Sequence, residues 1–171
     1  MKAFKLSKED NFMKPIILIK HEKTELLTNS SLMLIKGEVG SGKSRLAMNM
    51  MLGLLTGKED LELEYEVCPS DKYVVYISTE MSKYHLQRRL LKVLSKVQED
   101  KHDQLIFLDS VNVSIEDKLK DLQEIVQTYP PHVIIIDQLA DFVANINEIE
   151  QSSKLINSLM NGLEKSDCAI I

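Results

Sequence analysis

The sequence predicts an α/β domain with three layers, αβα, built around a mainly parallel sheet. Short apolar runs at 16–19, 32–35, 73–78, 105–108 and 133–136 alternate with amphipathic stretches of roughly 12 to 18 residues, the pattern of βαβ units. The run Val133-Ile134-Ile135-Ile136 is β-branched throughout and ends in Asp137, as a central strand covered on both faces would. A glycine-rich turn at 37–44 joins one apolar run directly to a helical pattern.

Taken in order, residues 1–14 are polar and patternless and read as a flexible N-terminal arm, leaving 15–171 as one domain. Runs 16–19 and 32–35 read as strands. After Lys43 and Ser44, the apolar residues Leu46, Ala47, Met50, Met51, Leu54 and Leu55 recur at helical spacing until Gly57 stops them. Met48, Met50 and Met51 read as core filling. Residues 61–67 alternate, Leu61, Leu63, Tyr65 and Val67 against Glu62, Glu64 and Glu66, which predicts a half-exposed edge strand. A buried strand at 73–78 precedes a helix capped by Ser82, with Leu86, Leu90, Val93, Leu94 and Val97 as its stripe.

A strand at 105–108 follows. Ser114 and Asp117 form a capping-box-like start to a helix carrying Leu119, Leu122, Ile125 and Val126, closed by Pro130-Pro131. Beyond Asp137, a last helix starting at Asn145 or Asn147 would turn Ile149, Ile156, Leu159, Met160 and Leu163 inward. The chain stops inside the apolar run Cys168-Ala169-Ile170-Ile171, so C-terminal strands of the domain are expected to lie outside it. There is no internal repeat or low-complexity tract.

The 171 residues are 44% hydrophobic, enough for a core, and carry a net charge of −5. No global basic field recruits nucleic acid, so any DNA contact is local or made by a ring of subunits. Cys68 and Cys168 lack metal-ligand spacing and a disulfide framework, which fits structural thiols in a cytoplasmic protein. The charged N-terminus lacks the apolar centre of a signal peptide, and no membrane-length apolar run exists. The histidines His21, His85, His102 and His132 share no metal spacing and read as surface residues.

The strongest chemical signal is Gly37-Glu38-Val39-Gly40-Ser41-Gly42-Lys43-Ser44, followed by Arg45. Glycines let backbone N–H groups converge on phosphate oxygens, and the following helix adds the positive end of its dipole. In such a loop Lys43 reaches the β- and γ-phosphates of ATP and the Ser44 hydroxyl ligates Mg²⁺. Asp137, at the C-terminal end of its strand, is the second metal-site candidate. Gln138 follows it, so no carboxylate stands directly beside Asp137 to activate water. The stretch Val74-Val75-Tyr76-Ile77-Ser78-Thr79-Glu80-Met81-Ser82 ends on the same rim, and makes Glu80 the candidate base, with a dipole-complementing role as its alternative. Ser78 and Thr79 are candidates to place a hydroxyl near the γ-phosphate.

In order, the phosphate loop, the Tyr76–Ser82 segment running into a helix with Arg88-Arg89, and Ile134-Ile135-Ile136-Asp137 resemble the RecA-like ATPase core. Over 16–171 the chain is most similar to the RepA- and DnaB-type hexameric helicases and related ATPases of plasmids and mobile elements. The resemblance implies ATP hydrolysis at subunit interfaces of a homo-oligomeric ring acting on single-stranded DNA, with Glu80 as base, Lys43 and Ser44 at the phosphates and metal, and Asp137 at the metal. It also implies a polar sensor after the last strand and an arginine finger later still. The three arginines, Arg45, Arg88 and Arg89, all lie early, so either the finger is elsewhere or this chain alone is a slow ATPase. Arg88-Arg89 reads as a solvated helix face, with contact to DNA or a neighbouring subunit as the alternative. The polar stretch 141–151, holding Asp141, Asn145, Asn147, Glu148 and Glu150, resembles the channel-facing loop of hexameric relatives. A regulatory nucleotide switch with slow turnover is the competing functional reading, and a small-molecule kinase a weaker one.

Overall fold

The computed structural model describes residues 13–58, 61–142, 153, 155–157, 159 and 166–171. Strands β1 (Ile17–His21) and β2 (Thr24–Thr28) pair antiparallel through a tight turn in which Glu22 takes φ 52°. Helix α1 (Lys43–Thr56) ends at Gly57, which takes the left-handed conformation that lacks a Cβ penalty there. Strand β3 (Leu63–Tyr65) then returns to pair antiparallel with β1, giving a small sheet of order β2-β1-β3.

The main sheet is parallel. It contains β4 (Tyr73–Ser78), β5 (Leu105–Asp109), β6 (Pro131–Asp137) and β7 (Ala169–Ile170) in the order β5-β4-β6-β7. Helices α2 (Lys83–Leu94) and α3 (Ile115–Thr128) connect β4 to β5 and β5 to β6. Ser114 caps α3 by accepting from the Asp117 N–H at 3.1 Å, while Ser82 precedes α2 without a side-chain cap bond.

Alternation along the strands builds two cores. Val74 and Tyr76 of β4 and Val133 and Ile135 of β6 face α1, α2 and the small sheet, whereas Val75, Ile77, Ile134 and Ile136 face α3. A parallel strand covered on both faces must be apolar at every position, which is why the run 133–136 has no polar interruption. The fold is the three-layer α/β core that the periodicities predict, with the RecA-like character that the resemblance implies. Met50 and Met51 are buried in it and Met48 packs against it.

Several expectations need correction. Residues 32–35 form no regular strand: Leu32 makes one parallel bridge to Ile170, and the segment is set beside β7 by the Met33 N–H donating to the Ile170 carbonyl at 2.8 Å and the Ile170 N–H donating to the Ser31 carbonyl at 3.0 Å. Strand β2 was not expected, because Thr-Glu-Leu-Leu-Thr shows neither clean alternation nor an apolar run. Only 63–65 of the alternating stretch 61–67 is strand, at an edge of the antiparallel sheet. Leu61 and Val67 are exposed rather than on the apolar face. In the last helical stretch Leu159 is buried as expected and Leu155 is buried with it, whereas Ile156 is exposed rather than inward. Asn145, Asn147, Ile149, Met160 and Leu163 lie outside the described residues, as do residues 1–12 of the expected arm. Of the histidines, His132 is buried at 5% exposure instead of lying on the surface.

Gly53, in the middle of α1, lies against the Tyr65 ring, and a Cβ there would overlap several ring carbons. Gly53→Ala should therefore lower stability by about 1–3 kcal/mol, because overpacking outweighs a helix-propensity gain of about 1 kcal/mol. Urea unfolding followed by circular dichroism tests this. His132 is held below its ordinary value of 6.5, chiefly by burial and secondarily by the Lys72 charge, against a Glu66 backbone bond and Asp167 that raise it. A histidine depressed in the folded state takes up its proton preferentially on unfolding, so its contribution is intact above about pH 6.5 and is lost as pH falls below it. Unfolding free energy should fall more steeply between about pH 7 and pH 5.5 in the natural protein than in His132→Leu.

Candidate nucleotide-binding site

The parallel register places Ser78, the last residue of β4, beside Asp137, the last of β6. Ligand-facing groups of a parallel sheet gather at this C-terminal rim. The glycine loop comes to the same rim: Gly40 and Gly42 take φ values of 80° and 91°, which only glycine adopts freely. Gly42 is also the N-cap of α1, and no side chain caps the helix there. The first-turn N–H groups are thus left for an anion, the arrangement that a phosphate group fits.

Lys43 folds back over the loop, its Nζ donating to the Gly37 and Glu38 carbonyls at 2.9 and 2.8 Å. A Cβ on Gly37 would come within 2.7 Å of the Ser41 hydroxyl oxygen, a contact that a change of the Ser41 rotamer would relieve. Glu38, Val39 and Ser41 are exposed along the loop, and Arg45 is exposed on the first turn of α1.

Asp137 is the point where distant parts of the chain converge. The Ser44 hydroxyl donates to its Oδ1 at 3.0 Å, joining loop and strand across 93 residues of sequence. Its Oδ2 accepts from the Tyr76 hydroxyl at 2.5 Å and from Arg89 Nη1 at 3.2 Å, and Arg89 Nη1 also donates to the Tyr76 oxygen at 2.5 Å. The Arg89 and Asp137 side chains retain 27% and 15% of their exposure, so this ion pair is partly shielded from water. Burial, then the bond to Asp137, pushes the Tyr76 phenol far above its ordinary value, so it remains a proton donor. Ser44 and Asp137 fit the oxygen chemistry that Mg²⁺ requires. No group of three or more His, Cys, Asp or Glu side chains gathers among the described residues, so any such ion draws further ligands from phosphate or water.

Glu80 stands exposed two residues beyond Ser78, on the rim that holds Asp137. The turn before it is braced: the Thr79 N–H donates to the Asp137 carbonyl at 3.0 Å, and the Gln138 N–H donates to Thr79 Oγ1 at 3.0 Å. The Asp137-Gln138 peptide is cis. The Ser78 and Thr79 hydroxyls both have partners within this turn. The Ser78 Oγ accepts from the Met81 N–H, and Thr79 Oγ1 lies within 3.3 Å of the Asp137 and Gln138 carbonyls. Asp141 contributes its carbonyl to Lys118, and residues 143–151 of the expected channel loop lie outside the described residues.

Arg88 and Arg89 part company. Arg88 is exposed, with its guanidinium 5.8 Å from the Tyr84 ring centre, whereas Arg89 turns inward to Asp137. A solvated face thus describes Arg88 but not Arg89. The sequence did hold a signal: Arg89 lies three residues after Leu86 and four before Val93, at the margin of the buried stripe. Tyr76 was hidden as one more apolar position of β4, its ring stacked on Phe107 at 4.8 Å.

A cavity of about 480 Å³ opens from Ser44 and Arg45 along the groove between α1 and α2, with Arg89, Lys92 and Lys96 on its α2 side. Both cysteines are buried and free, and burial pushes the Cys68 thiol up to about 12, which fits inert structural thiols. Among the described residues no helix is long and apolar enough to cross a membrane.

A family model described as an AAA domain matches residues 12–171. No curated protein shows a significant match to the chain.

Tyr76→Phe should keep the ring stack on Phe107 and delete one donor to Asp137, lowering stability by about 1–2 kcal/mol. The shift in urea midpoint measures it, and a midpoint equal to that of the natural protein would show that the hydroxyl holds nothing.

Proposed function

Because this chain belongs to the AAA domain family, a P-loop ATPase type, we propose that it binds and hydrolyses ATP with Mg²⁺ and acts on DNA as a RecA-like replication or mobilisation helicase or its loader. The observation that carries the reading is the bond from Ser44 to Asp137, which sets the loop's hydroxyl and the strand's carboxylate at one point. In this reading residues 15–171 are the ATPase domain, and 1–14 an arm.

Each residue then has a task its chemistry suits. The loop N–H groups of 37–44 and the Arg45 N–H bind phosphate oxygens. Lys43 leaves the Gly37 and Glu38 carbonyls for the β- and γ-phosphates. Ser44 and Asp137 hold Mg²⁺, which when bound neutralises charge on the phosphates. Glu80 orients the attacking water and takes its proton, as an exposed carboxylate carried on a braced turn can. Thr79 provides that brace, through the Asp137 and Gln138 backbone.

The finer assignment, to the RepA- and DnaB-type branch with single-stranded DNA threaded through a homo-oligomeric cytoplasmic ring, is supported by the order of the motifs and by Tyr76-Ile77-Ser78-Thr79-Glu80-Met81-Ser82 running into α2. The net charge of −5 confines DNA contact to a local surface or a ring interior.

Lys43→Ala should abolish ATP binding, while Glu80→Gln should bind ATP normally and turn it over about 10²- to 10⁴-fold more slowly. Phosphate release with and without single-stranded DNA checks both. Turnover unchanged in Glu80→Gln would favour the regulatory switch, and a DNA-independent rate together with no DNA binding would remove DNA as the partner.

A further inference from the structure

We propose that Arg89 is a reversible clasp on Asp137: it holds the carboxylate while the site is empty and transfers to a nucleotide phosphate when a divalent ion takes its place. The inference rests on the nucleotide reading above and adds a residue that the phosphate-loop motifs do not contain.

The geometry makes the two occupants exclusive. Asp137 Oδ1 already accepts from Ser44, and Oδ2 accepts from both Tyr76 and Arg89. A carboxylate offers about four lone-pair directions, and three are taken. A guanidinium and a dication cannot share one partly buried carboxylate without strong repulsion, since two positive charges a few ångströms apart are poorly screened there. A metal arriving at Asp137 therefore expels Arg89 rather than joining it.

The expelled guanidinium faces a basic cavity beside the phosphate loop. It lines the same cavity as Ser44, and the other charged side chains lining that cavity are all cations, Arg45, Lys92 and Lys96. With no acidic side chain in the lining, the group that can accept its donors is an anionic ligand reaching in from the phosphate loop. Tyr76 belongs to both arrangements: its hydroxyl donates to Oδ2 while its oxygen accepts from Arg89 Nη1, and the bond to Oδ2 is the one that remains when Arg89 leaves. Arg89 is thus a positioning residue for the empty site and a phosphate ligand in the filled one.

Two binding measurements on the whole chain test the clasp. Mn²⁺ is titrated without nucleotide, followed by electron paramagnetic resonance, and a fluorescent ATP analogue is titrated with Mg²⁺. Arg89→Gln should bind Mn²⁺ alone at least about tenfold more tightly than the natural protein, and bind the nucleotide about tenfold more weakly, as loss of one charge-assisted bond implies. Unchanged Mn²⁺ affinity overturns the clasp, whatever happens to the nucleotide. Tighter Mn²⁺ with unchanged nucleotide affinity overturns the transfer. If Arg89→Gln does not fold, Arg89→Lys replaces it: a lysine makes a weaker hold on Asp137, and Mn²⁺ affinity should rise about threefold or more, with no rise overturning the proposal. If the natural protein binds no nucleotide at all, the ATPase reading falls, while the Mn²⁺ titration still judges the clasp.

Discussion

A single carboxylate organises the working end of this molecule. Asp137 terminates the central strand β6 with an apolar interior behind it, and a charge in that position is costly unless donors surround it. Ser44, Tyr76 and Arg89 supply them, from α1, β4 and α2 respectively. The demand of one charge for partners thus fixes the phosphate loop, two helices and two strands relative to each other. At the opposite rim, where Pro131 and His132 open β6, the Lys72–Asp167 ion pair is the nearest counterpart among the described residues, and its Asp167 side chain is more than half exposed.

Rigidity and permissiveness are divided accordingly. Strand β4 faces two cores at once, Val74 and Tyr76 on one side, Val75 and Ile77 on the other, and its pairing with β6 runs to Ser78 and Asp137. Beyond that point Thr79 still bonds to the Asp137 and Gln138 backbone, so the exposed Glu80 rises from a fixed base. The phosphate loop is built the other way, from exposed residues whose conformation depends on Gly40 and Gly42 and whose lysine is satisfied by the loop's own carbonyls. A rigid rim carrying a loop that can exchange internal partners for a ligand is the division of labour that phosphate binding needs.

Most of the fold and part of the site were legible in the residues. The apolar run before Asp137, the helical spacing from Leu46 to Leu55 with Gly57 after it, and the capping pair Ser114 and Asp117 each express a rule that acts within a few residues, so β6, α1 and α3 appear where expected. The phosphate loop is local in the same sense. Strand β2 and the exposure of Ile156 escaped notice because a half-polar strand and the rotation of a helix are settled by what lies across from them. His132 escaped because a histidine next to two prolines carries no mark of burial.

What the sequence determined by itself is a parallel α/β core with a glycine loop and an aspartate at the same rim, because periodicity, β-branching and glycine spacing are properties of short segments. Only the tertiary structure decided the company Asp137 keeps. Tyr76 and Arg89 lie 61 and 48 residues from it along the chain, and although the helical spacing sets Arg89 at the margin of the buried stripe, nothing in either segment points to Asp137. They meet because β4 pairs with β6 and α2 packs over β4, and a buried charge then selects the donors that packing brings within reach.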